Sequence, residues 1–285
     1  MRHLLHDSRG PLAQSIDGLL FGPALDTVVA QGTAIGATIA ALTASTGDSL
    51  AIKSGVPGKQ TRILQLWDDV QVAGTGRIRS ARMHDNVQGL RFDTIIADPR
   101  PLMPWGVGQR VYENDVIVAE LAGSAVAGDI EYLAMLLFYE DLPGISGRFV
   151  TTEEVMRRAI NQSWVENTIA TGTGGGYTGG EAINVEFDQF HAGGLYALVG
   201  YLVDAEAAAV CWRGPDTGNL RVSGPADETE RELTSSWFMR LSDAYKLPLI
   251  PVIAAENKAA TLIDVVQDEN GADVTVTSIF VELSR

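Results

Sequence analysis

Cysteine and histidine are the scarcest reactive residues in this sequence of 285 residues. There is 1 cysteine, Cys211, so no disulfide can form within the chain. Cys211 lies in the apolar run 207–212, which favours a small buried side chain over an exposed nucleophile. The 4 histidines are His3, His6, His84 and His191. They form no His-x-His pair, which disfavours a metal site because an ion needs several convergent ligands.

Basic residues are few relative to acidic ones. The chain has 21 lysines and arginines against 36 aspartates and glutamates, which gives a formal net charge of −15. A field of that sign repels phosphate backbones, so we expect no direct binding of nucleic acid over a broad surface. The same charge keeps a concentrated protein soluble until specific contacts form.

The N-terminal region lacks strongly hydrophobic segments. Residues 1–7 do not have the apolar core of a secretory signal, so we expect synthesis and assembly inside a cell. Residues 27–44 carry no charge over nearly the length of a bilayer span, yet Gln31 and several threonines make them weakly hydrophobic. We expect residues 1–55 to form an N-terminal arm that packs on neighbouring subunits or rests on a membrane surface.

Most of the remaining chain has the patterning of short strands. Runs rich in β-branched, aromatic and aliphatic residues are divided by Gly, Pro and Asn. These runs are 63–72, 89–96, 111–121, 130–140, 195–203, 207–213, 236–241, 262–267 and 274–283. Asn270-Gly271 predicts a hairpin between the last two runs. One helix is predicted from the cap at Thr151 to Trp164, inside a Gly-rich connector, residues 143–189.

The two strand-rich halves share short sequence matches in the same order. The matched segments are Gly76–Ser80 with Gly218–Ser223, Thr94–Asp98 with Phe238–Asp243, Asn114–Val116 with Ile263–Val265, and Phe138–Leu142 with Phe280–Leu283. The second match is followed by Pro-Leu-Met-Pro (101–104) in one half and Pro-Leu-Ile-Pro (248–251) in the other. We interpret this order as duplication of one β-module. The alternative is that both halves are β-rich and share common turn sequences.

This duplicated pattern resembles the double jelly-roll major capsid proteins of adenovirus and of tailless, membrane-containing bacteriophages. The likeness rests on two modules of many short strands and on the segments 101–104 and 248–251. It implies an all-β chain with jelly rolls at residues 56–142 and 190–285. It also implies that three chains form a pseudo-hexagonal tile, with the arm, residues 1–55, on the inner side of the shell near an underlying membrane. The implied function is the coat subunit of an icosahedral virion assembled in the host cytoplasm, with penton or minor capsid proteins as further partners.

Patterns that point to catalysis or to bound cofactors are weak. Residues 174–179 fit the string G-x-G-x-x-G, but they follow a predicted helix where a dinucleotide site needs a strand. The lack of His-x-His excludes a metal-dependent two-domain cupin. The acidic pairs Asp68-Asp69, Glu153-Glu154 and Asp227-Glu228 are sequence neighbours, and on a strand such neighbours point to opposite faces. The turns at 216–219 and 268–271 lack the spaced oxygen ligands of a calcium loop. We therefore expect no catalytic, cofactor-binding or metal-binding residues, and a protein that is not an enzyme.

Three classes of protein are alternatives to a coat subunit: a binding β-sandwich, a tailed-phage capsid fold, against which the single short helix near residue 155 argues, and an enzyme, which turnover with a defined acid or metal dependence would indicate. A carbohydrate-binding or adhesive β-sandwich of a viral spike or baseplate would place exposed aromatic residues on one face. A tailed-phage capsid fold would need a long central helix. The tryptophans that bear on the first alternative are Trp67, Trp105, Trp164, Trp212 and Trp237.

Overall fold

The fold is seen in a computed structural model that describes residues 14–16, 19–45, 47–83, 85–95, 99–172, 175–183, 189–266, 271 and 273–285. Strands hold 45% of the chain and helical segments 12%. The prediction of a mostly β protein is therefore confirmed.

The elements follow one another along the chain as short strands with three α-helices in the second half. The first strands are β1 (Gln14–Ile16), β2 (Leu19–Phe21), β3 (Ala24–Thr33), β4 (Ala40–Ala41), β5 (Thr43–Ala44), β6 (Thr61–Asp69), β7 (Gly74–Arg79), β8 (Leu90–Thr94), β9 (Arg100–Pro101), β10 (Gln109–Val111), β11 (Val118–Leu121) and β12 (Ile130–Tyr139). Then come β13 (Phe149–Val150), α1 (Thr152–Arg158), β14 (Gln162–Ile169), β15 (Glu181–Ala182), β16 (Leu195–Val203), β17 (Ala207–Arg213), β18 (Val222–Ala226), α2 (Arg231–Thr234), α3 (Trp237–Tyr245), β19 (Ile250–Ala254), β20 (Leu262–Val266) and β21 (Val274–Ser284). Short 3₁₀ turns lie at Pro215–Thr217 and Ala255–Ala260.

Strands β3 to β12 form a β-sandwich, which we call sandwich 1. Its large sheet has the order β10-β6-β12-β3-β5, with β9 also paired to β6, and its small sheet has the order β4-β11-β7-β8. Apolar side chains of both sheets meet in one core, among them Val28, Ile63, Ile78, Ala119 and Leu133. Two sheets that bury their facing sides in this way are the architecture of a sandwich.

Strands β13 to β21 form sandwich 2. Its large sheet has the order β13-β19-β16-β21-β14, and its small sheet has the order β15-β20-β17-β18. Val165, Leu198, Val210 and Phe280 belong to its core. Helix α3 contributes to the same core, because the ring of Phe238 packs edge-to-face on that of Trp212 at 5.9 Å.

The two sandwiches have the same strand order. We number eight strands in each along the chain, as β3, β4, β6, β7, β8, β10, β11, β12 and as β14 to β21. Both large sheets then contain the order 6-3-8-1, and both small sheets have the order 2-7-4-5. In both, the pairing of the third and eighth strands has a register shift near its middle, between Leu136 and Leu137 and between Leu198 and Gly200; the pairing in sandwich 2 has a second shift between Leu195 and Tyr196.

The sandwiches pack against each other through unlike sheets. The large sheet of sandwich 1 lies on the small sheet of sandwich 2, and we call this contact the seam. All ten residues of β12 are buried because both of its faces are covered. Leu133 and Met135 belong to the core of sandwich 1, whereas Ala134 and Leu136 belong to the core shared with sandwich 2.

The predicted N-terminal arm, residues 1–55, is too long. β3 pairs with all ten residues of β12, so the chain from Ala24 onwards belongs to sandwich 1. Residues 27–33 lack charge because β3 is a strand buried against two neighbours, not because they form an apolar arm. Ahead of β3, the described residues form only the β1–β2 hairpin. Among the described residues, no helix is long and apolar enough to cross a bilayer.

The predicted connector, residues 143–189, is also wrong in part. It contains β13, β14 and β15, all of which pair within sandwich 2. The helix predicted to reach Trp164 ends at Arg158, and Trp164 lies in β14.

Three other predictions of local structure are wrong. The run 236–241, predicted as a strand, lies in α3, where Trp237, Phe238 and Leu241 are buried at helical spacing. The run 111–121 is split between β10 and β11. β20 and β21 lie in different sheets, so they form no hairpin; Asn270 itself lies outside the described residues.

The sequence matches between the halves coincide only in part with equivalent strands. Phe138 and Phe280 lie near the ends of the two eighth strands, β12 and β21. The segment Gly76–Ser80 covers the end of a fourth strand, whereas Gly218–Ser223 leads into a fifth strand. Phe238–Asp243 is helical and has no helical counterpart among the described residues of sandwich 1.

Candidate assembly faces

One side of the seam is a cluster of aromatic rings. Trp237 of α3 meets Trp67 edge-to-face at 5.9 Å and Trp105 at 5.4 Å. The indole Nε1 of Trp67 donates to the carbonyl oxygen of Ala208 at 2.8 Å. Such ring pairs contribute about 0.5–1.5 kcal/mol beyond the area that they bury. This side of the seam is therefore closed by packing.

The other side of the seam is polar. The guanidinium of Arg221 stacks 3.7 Å from the ring centroid of Tyr177 and donates to Oδ1 of Asp48 at 3.3 Å. The Tyr177 hydroxyl donates to Oδ2 of Asp48 at 2.8 Å. Burial is the main reason that the pKa of Asp48 rises to about 6. Directional contacts of this kind fix the position of sandwich 1 on sandwich 2.

An ion pair between the fourth and seventh strands lies on the seam side of sandwich 2. Nε of Arg213, at the end of β17, donates to Oδ2 of Asp264 on β20 at 2.5 Å. The Asp264 carboxyl is 0% exposed because sandwich 1 covers this face. Nε of Arg221 lies 3.7 Å from the same oxygen.

Sandwich 1 carries the same arrangement on the outer face of its small sheet, where Glu120 itself is 7% exposed. Arg79, at the end of β7, donates from Nε to Oε2 of Glu120 on β11 at 2.9 Å. Arg77 donates to the same oxygen at 2.5 Å. These two arginines hold the pKa of Glu120 down to about 2. Asp264 lies opposite Cys211, two residues before Arg213, and Glu120 lies opposite Arg77, two residues before Arg79. The two arginine–acid pairs therefore occupy equivalent places in the two sandwiches.

The outer face of the large sheet of sandwich 2 is exposed along its edge strand β14 and is partly apolar there. On the neighbouring strands the outward-facing residues Val252, Ile279 and Val281 are buried, and α1 and α3 lie against β21 and β16.

Along β14, Val165, Asn167 and Ile169 are buried, whereas the alternate residues point outwards. The first of these outward residues is Trp164, which is 52% exposed. Two further apolar residues, Met156 and Ile160, precede it and are 73% and 47% exposed. We call these three residues the α1–β14 patch.

Most residues that the sequence pattern singled out are buried in the core or form local hydrogen bonds. Cys211 is buried in β17, and burial raises the pKa of its thiol. Asp216 accepts from the amide of Ala254 at 2.9 Å and from Nδ2 of Asn257 at 2.8 Å, which accounts for its turn. His191 lies in the loop before β16, and His84 lies outside the described residues.

The other acidic pairs and the Gly-rich string are not drawn together. Asp227 accepts from the amides of Thr229 and Glu230, which caps the turn before α2. Glu154 pairs with two arginines of its own helix. Gly174 and the segment 268–270 lie outside the described residues. In the part of the chain that is described, no group of three or more His, Cys, Asp or Glu residues could hold a metal ion.

Sequence reasoning missed the two equivalent arginine–acid pairs. Arg213 and Asp264 are far apart along the chain, and no local pattern joins them. Aligning the halves on their equal third strands, Thr61–Asp69 and Leu195–Val203, would have placed Arg79 over Arg213. The sequence matches found instead pointed to a different offset.

Comparison with known proteins adds no identification. No protein-family model matches this sequence, and no curated protein sequence matches it.

Proposed function

We propose that this chain is a structural coat subunit that assembles with its own copies into an icosahedral shell, and that its sandwiches are two jelly rolls related by duplication. The observation that carries this proposal is the strand order 6-3-8-1 and 2-7-4-5 in both sandwiches. An eight-stranded sandwich of two sheets is the form of viral capsid jelly rolls. The equivalent register shifts and the equivalent arginine–acid pairs support a common origin of the halves.

The seam supports self-assembly because it joins unlike surfaces. A large sheet of one sandwich meets a small sheet of the other, so the pair keeps the small sheet of sandwich 1 at one end and the exposed β14 side of the large sheet of sandwich 2 at the other. Contacts of this head-to-tail type, when repeated between chains, generate closed rings or open filaments. Three chains would supply six sandwiches to a ring, which is the pseudo-hexagonal trimer of the proposed shell.

The two outer faces of the paired sandwiches carry complementary groups. The small sheet of sandwich 1 presents Arg77 and Arg79 around Glu120. The large sheet of sandwich 2 presents Trp164 and the exposed acid Glu166 on one strand. An aromatic residue flanked by charge is the kind of group that anchors protein interfaces. We propose that these two faces meet between neighbouring chains.

Light scattering and negative-stain microscopy of the purified protein test this assembly. Trimers or closed shells are expected for the wild type and for Val126→Ser, which removes an exposed valine outside the α1–β14 patch. The double variant Met156→Ser/Trp164→Ser should stay monomeric with an unchanged far-UV circular dichroism spectrum. A wild-type protein that remains a monodisperse monomer at high concentration, whatever the salt or calcium, would contradict the proposal.

The remaining expectations about partners belong to the same proposal. The residues before Ala24 would contact neighbouring subunits or an underlying membrane. Penton or minor capsid proteins would be further partners, and the virion would be the location of the protein.

One observation favours a second candidate function, a carbohydrate-binding or adhesive β-sandwich. Trp164 is half exposed on a sheet face beside the polar residues Gln162 and Glu166, as in an aromatic platform for sugars. A glycan-array signal that Trp164→Ala abolishes, from a protein that stays monomeric, would favour this function over a coat subunit.

A further inference from the structure

A small cleft with unusual charge lies at one end of sandwich 1. Its volume is about 120 Å³, about that of four water molecules in the liquid. The cleft is lined by the loop before β6, the loop after β7 and the turn after β10, with Lys59, Arg82, Arg110, Tyr112 and Glu113 among its residues. Three cationic side chains therefore face one cavity in a chain whose net charge is −15.

Two of these cations lie against the ring of Tyr112. The guanidinium carbons of Arg82 and Arg110 lie 4.7 and 5.2 Å from the ring centroid of Tyr112. Arg82 donates to the backbone oxygen of Glu113 at 3.3 Å. In the part of the chain that the structure describes, neither arginine forms a salt bridge. Both guanidinium groups thus keep free donors beside the cleft.

The strand register adds a third arginine. Arg110 of β10 lies directly opposite Arg62 of β6, and like charges in that position destabilise a sheet. Arg62 donates only to neutral groups, Oε1 of Gln60 at 2.9 Å and the backbone oxygen of Val107 at 3.4 Å. The charge of Arg62 acts on Glu140, whose pKa it lowers together with Lys59, but no described carboxylate forms a salt bridge with Arg62 or Arg110.

A second cross-strand arginine pair lies on the small sheet of sandwich 1. Arg77 of β7 lies directly opposite Arg91 of β8, and there Glu120 accepts from Arg77 at 2.5 Å. One cross-strand arginine pair forms a salt bridge with a carboxylate, and among the described residues the other forms none. Lys59 differs from both, because Glu140 and Asp141 hold it at 3.0 and 3.2 Å. Arg91 and Arg231 also form no salt bridge in the described chain, so what distinguishes Arg82 and Arg110 is that both line one cleft.

We propose that this cleft binds a phosphate-bearing anion, with Arg82 and Arg110 as its ligands. A guanidinium presents parallel N–H donors that match two phosphate oxygens, and charge-assisted bonds of this kind are about twice as strong as neutral ones. The site does not depend on the proposed coat function.

The anion has two sources with the same chemistry, a free phosphate group and a phospholipid headgroup. The cleft lies at the end of sandwich 1 where β3 begins, since Ala24 and Thr61 both pair with Tyr139. The segment that precedes Ala24 therefore enters the sandwich at the same end as the cleft.

Titration calorimetry with inorganic phosphate tests the site, with sodium chloride of equal ionic strength as the reference. The variants are Arg82→Gln and Arg110→Gln, and the matched control is Arg91→Gln, which removes an exposed arginine of β8. Loss of one charge-assisted contact should weaken binding about tenfold or more in each cleft variant. Without phosphate, Arg110→Gln should not lower the melting temperature, because it relieves repulsion.

A second arm separates the two sources. Co-sedimentation compares vesicles of phosphatidylglycerol and phosphatidylcholine with vesicles of phosphatidylcholine alone. A response to free phosphate that both cleft variants lose assigns a soluble phosphate group. A response only to the anionic vesicles, lost in the same variants, assigns the lipid headgroup. No response of the wild type beyond chloride in either arm, or an equal loss in Arg91→Gln, would overturn the proposal.

Discussion

The first strands of the two sandwiches occupy equivalent places but differ in their surroundings. In β3, the first seven residues are buried, and the strand has no exposed residue before Thr33. In β14, buried and exposed residues alternate over the second half of the strand. The difference follows from the neighbours, because sandwich 2 covers the outer face of β3 and nothing in the described chain covers that of β14. A strand buried on both faces has a continuous apolar sequence, whereas one buried on a single face alternates.

One chain therefore holds two large sheets in different states: one is covered by a small sheet, and the other has an exposed edge strand. At the seam, a large sheet is closed by a small sheet, and Trp67 lies on the aromatic side of this contact. At the outer face of sandwich 2, the equivalent large sheet ends with Trp164 half exposed. The proposed assembly completes the second contact with another chain.

The largest loss of stability is expected for a substitution at the seam. Trp67→Ala removes a fully buried ring, its contact with Trp237 and the hydrogen bond to Ala208. We expect the free energy of unfolding to fall by about 3–5 kcal/mol, measured by urea denaturation. Trp164→Ala is the matched control and should cost less than about 1 kcal/mol. Equal losses of stability in the two variants would show that Trp164 is as buried as Trp67, which would contradict the difference between the two faces.

The third strands offer a second contrast, which is electrostatic. β6 ends in Asp68-Asp69, whereas β16 ends in Leu202-Val203 at the equivalent places. Oδ2 of Asp68 has no hydrogen-bond partner. Burial, with a smaller contribution from the Glu131 carboxylate, raises the pKa of Asp68 from 3.8 to about 7. The folded state therefore keeps a proton that the unfolded chain releases.

The pH dependence follows from the direction of this shift. The contribution of Asp68 to stability is fully present below about pH 4 and is lost as the pH rises to about 7. Asp68→Asn cannot ionise, so it should be more stable than the wild type by about 2–4 kcal/mol at pH 8 and by nothing at pH 4. Urea denaturation at both values measures this gain. Asp93→Asn, on the exposed edge strand β8, should show no such gain; a gain there, or none in Asp68→Asn, would refute the assignment.

A smaller effect is expected at the arginine–acid pair on the outer small sheet. Glu120→Gln weakens charge-assisted bonds from Arg77 and Arg79 that are open to solvent on one side. We expect a loss of about 1–2 kcal/mol at pH 7. Since the pKa of Glu120 is lowered to about 2, this contribution is present above about pH 4.5 and disappears as the pH falls towards 2. Chemical denaturation at pH 7 and pH 2 measures the difference, and a loss that persists at pH 2 would contradict it.

The sequence predicted the strands that are long, apolar and bounded by turn residues. β16 and β17 have the predicted bounds, Leu195–Val203 and Ala207–Arg213. Two-residue strands such as β4 and β13 have no periodicity to detect. α3 was mistaken for a strand because a short apolar run fits either structure.

The assembly faces could not be predicted from the sequence in the same way. Trp67 and Trp164 are the same residue type in similar runs, and only the packing of the two sandwiches decides which ring is covered. The arginine–acid pairs join strands that are remote in sequence, so their position depends on strand order. The predicted arm failed because the lack of charge in 27–33 reflects burial on both faces of β3.

Cross-linking between the two free faces tests the central claim most directly. Val118→Cys places a thiol on the outer small sheet of sandwich 1, and Thr168→Cys places one on the exposed face of β14 in sandwich 2 while keeping Trp164; Cys211 is buried and should not react. With a short bismaleimide, the doubly substituted protein is expected to give covalent species that end at three chains on a denaturing gel. A protein paired at Val126→Cys and Thr168→Cys is the control. Cross-linking no greater than in the control, or a ladder that continues without limit, would contradict a closed ring in which the β14 side of sandwich 2 meets the small sheet of sandwich 1.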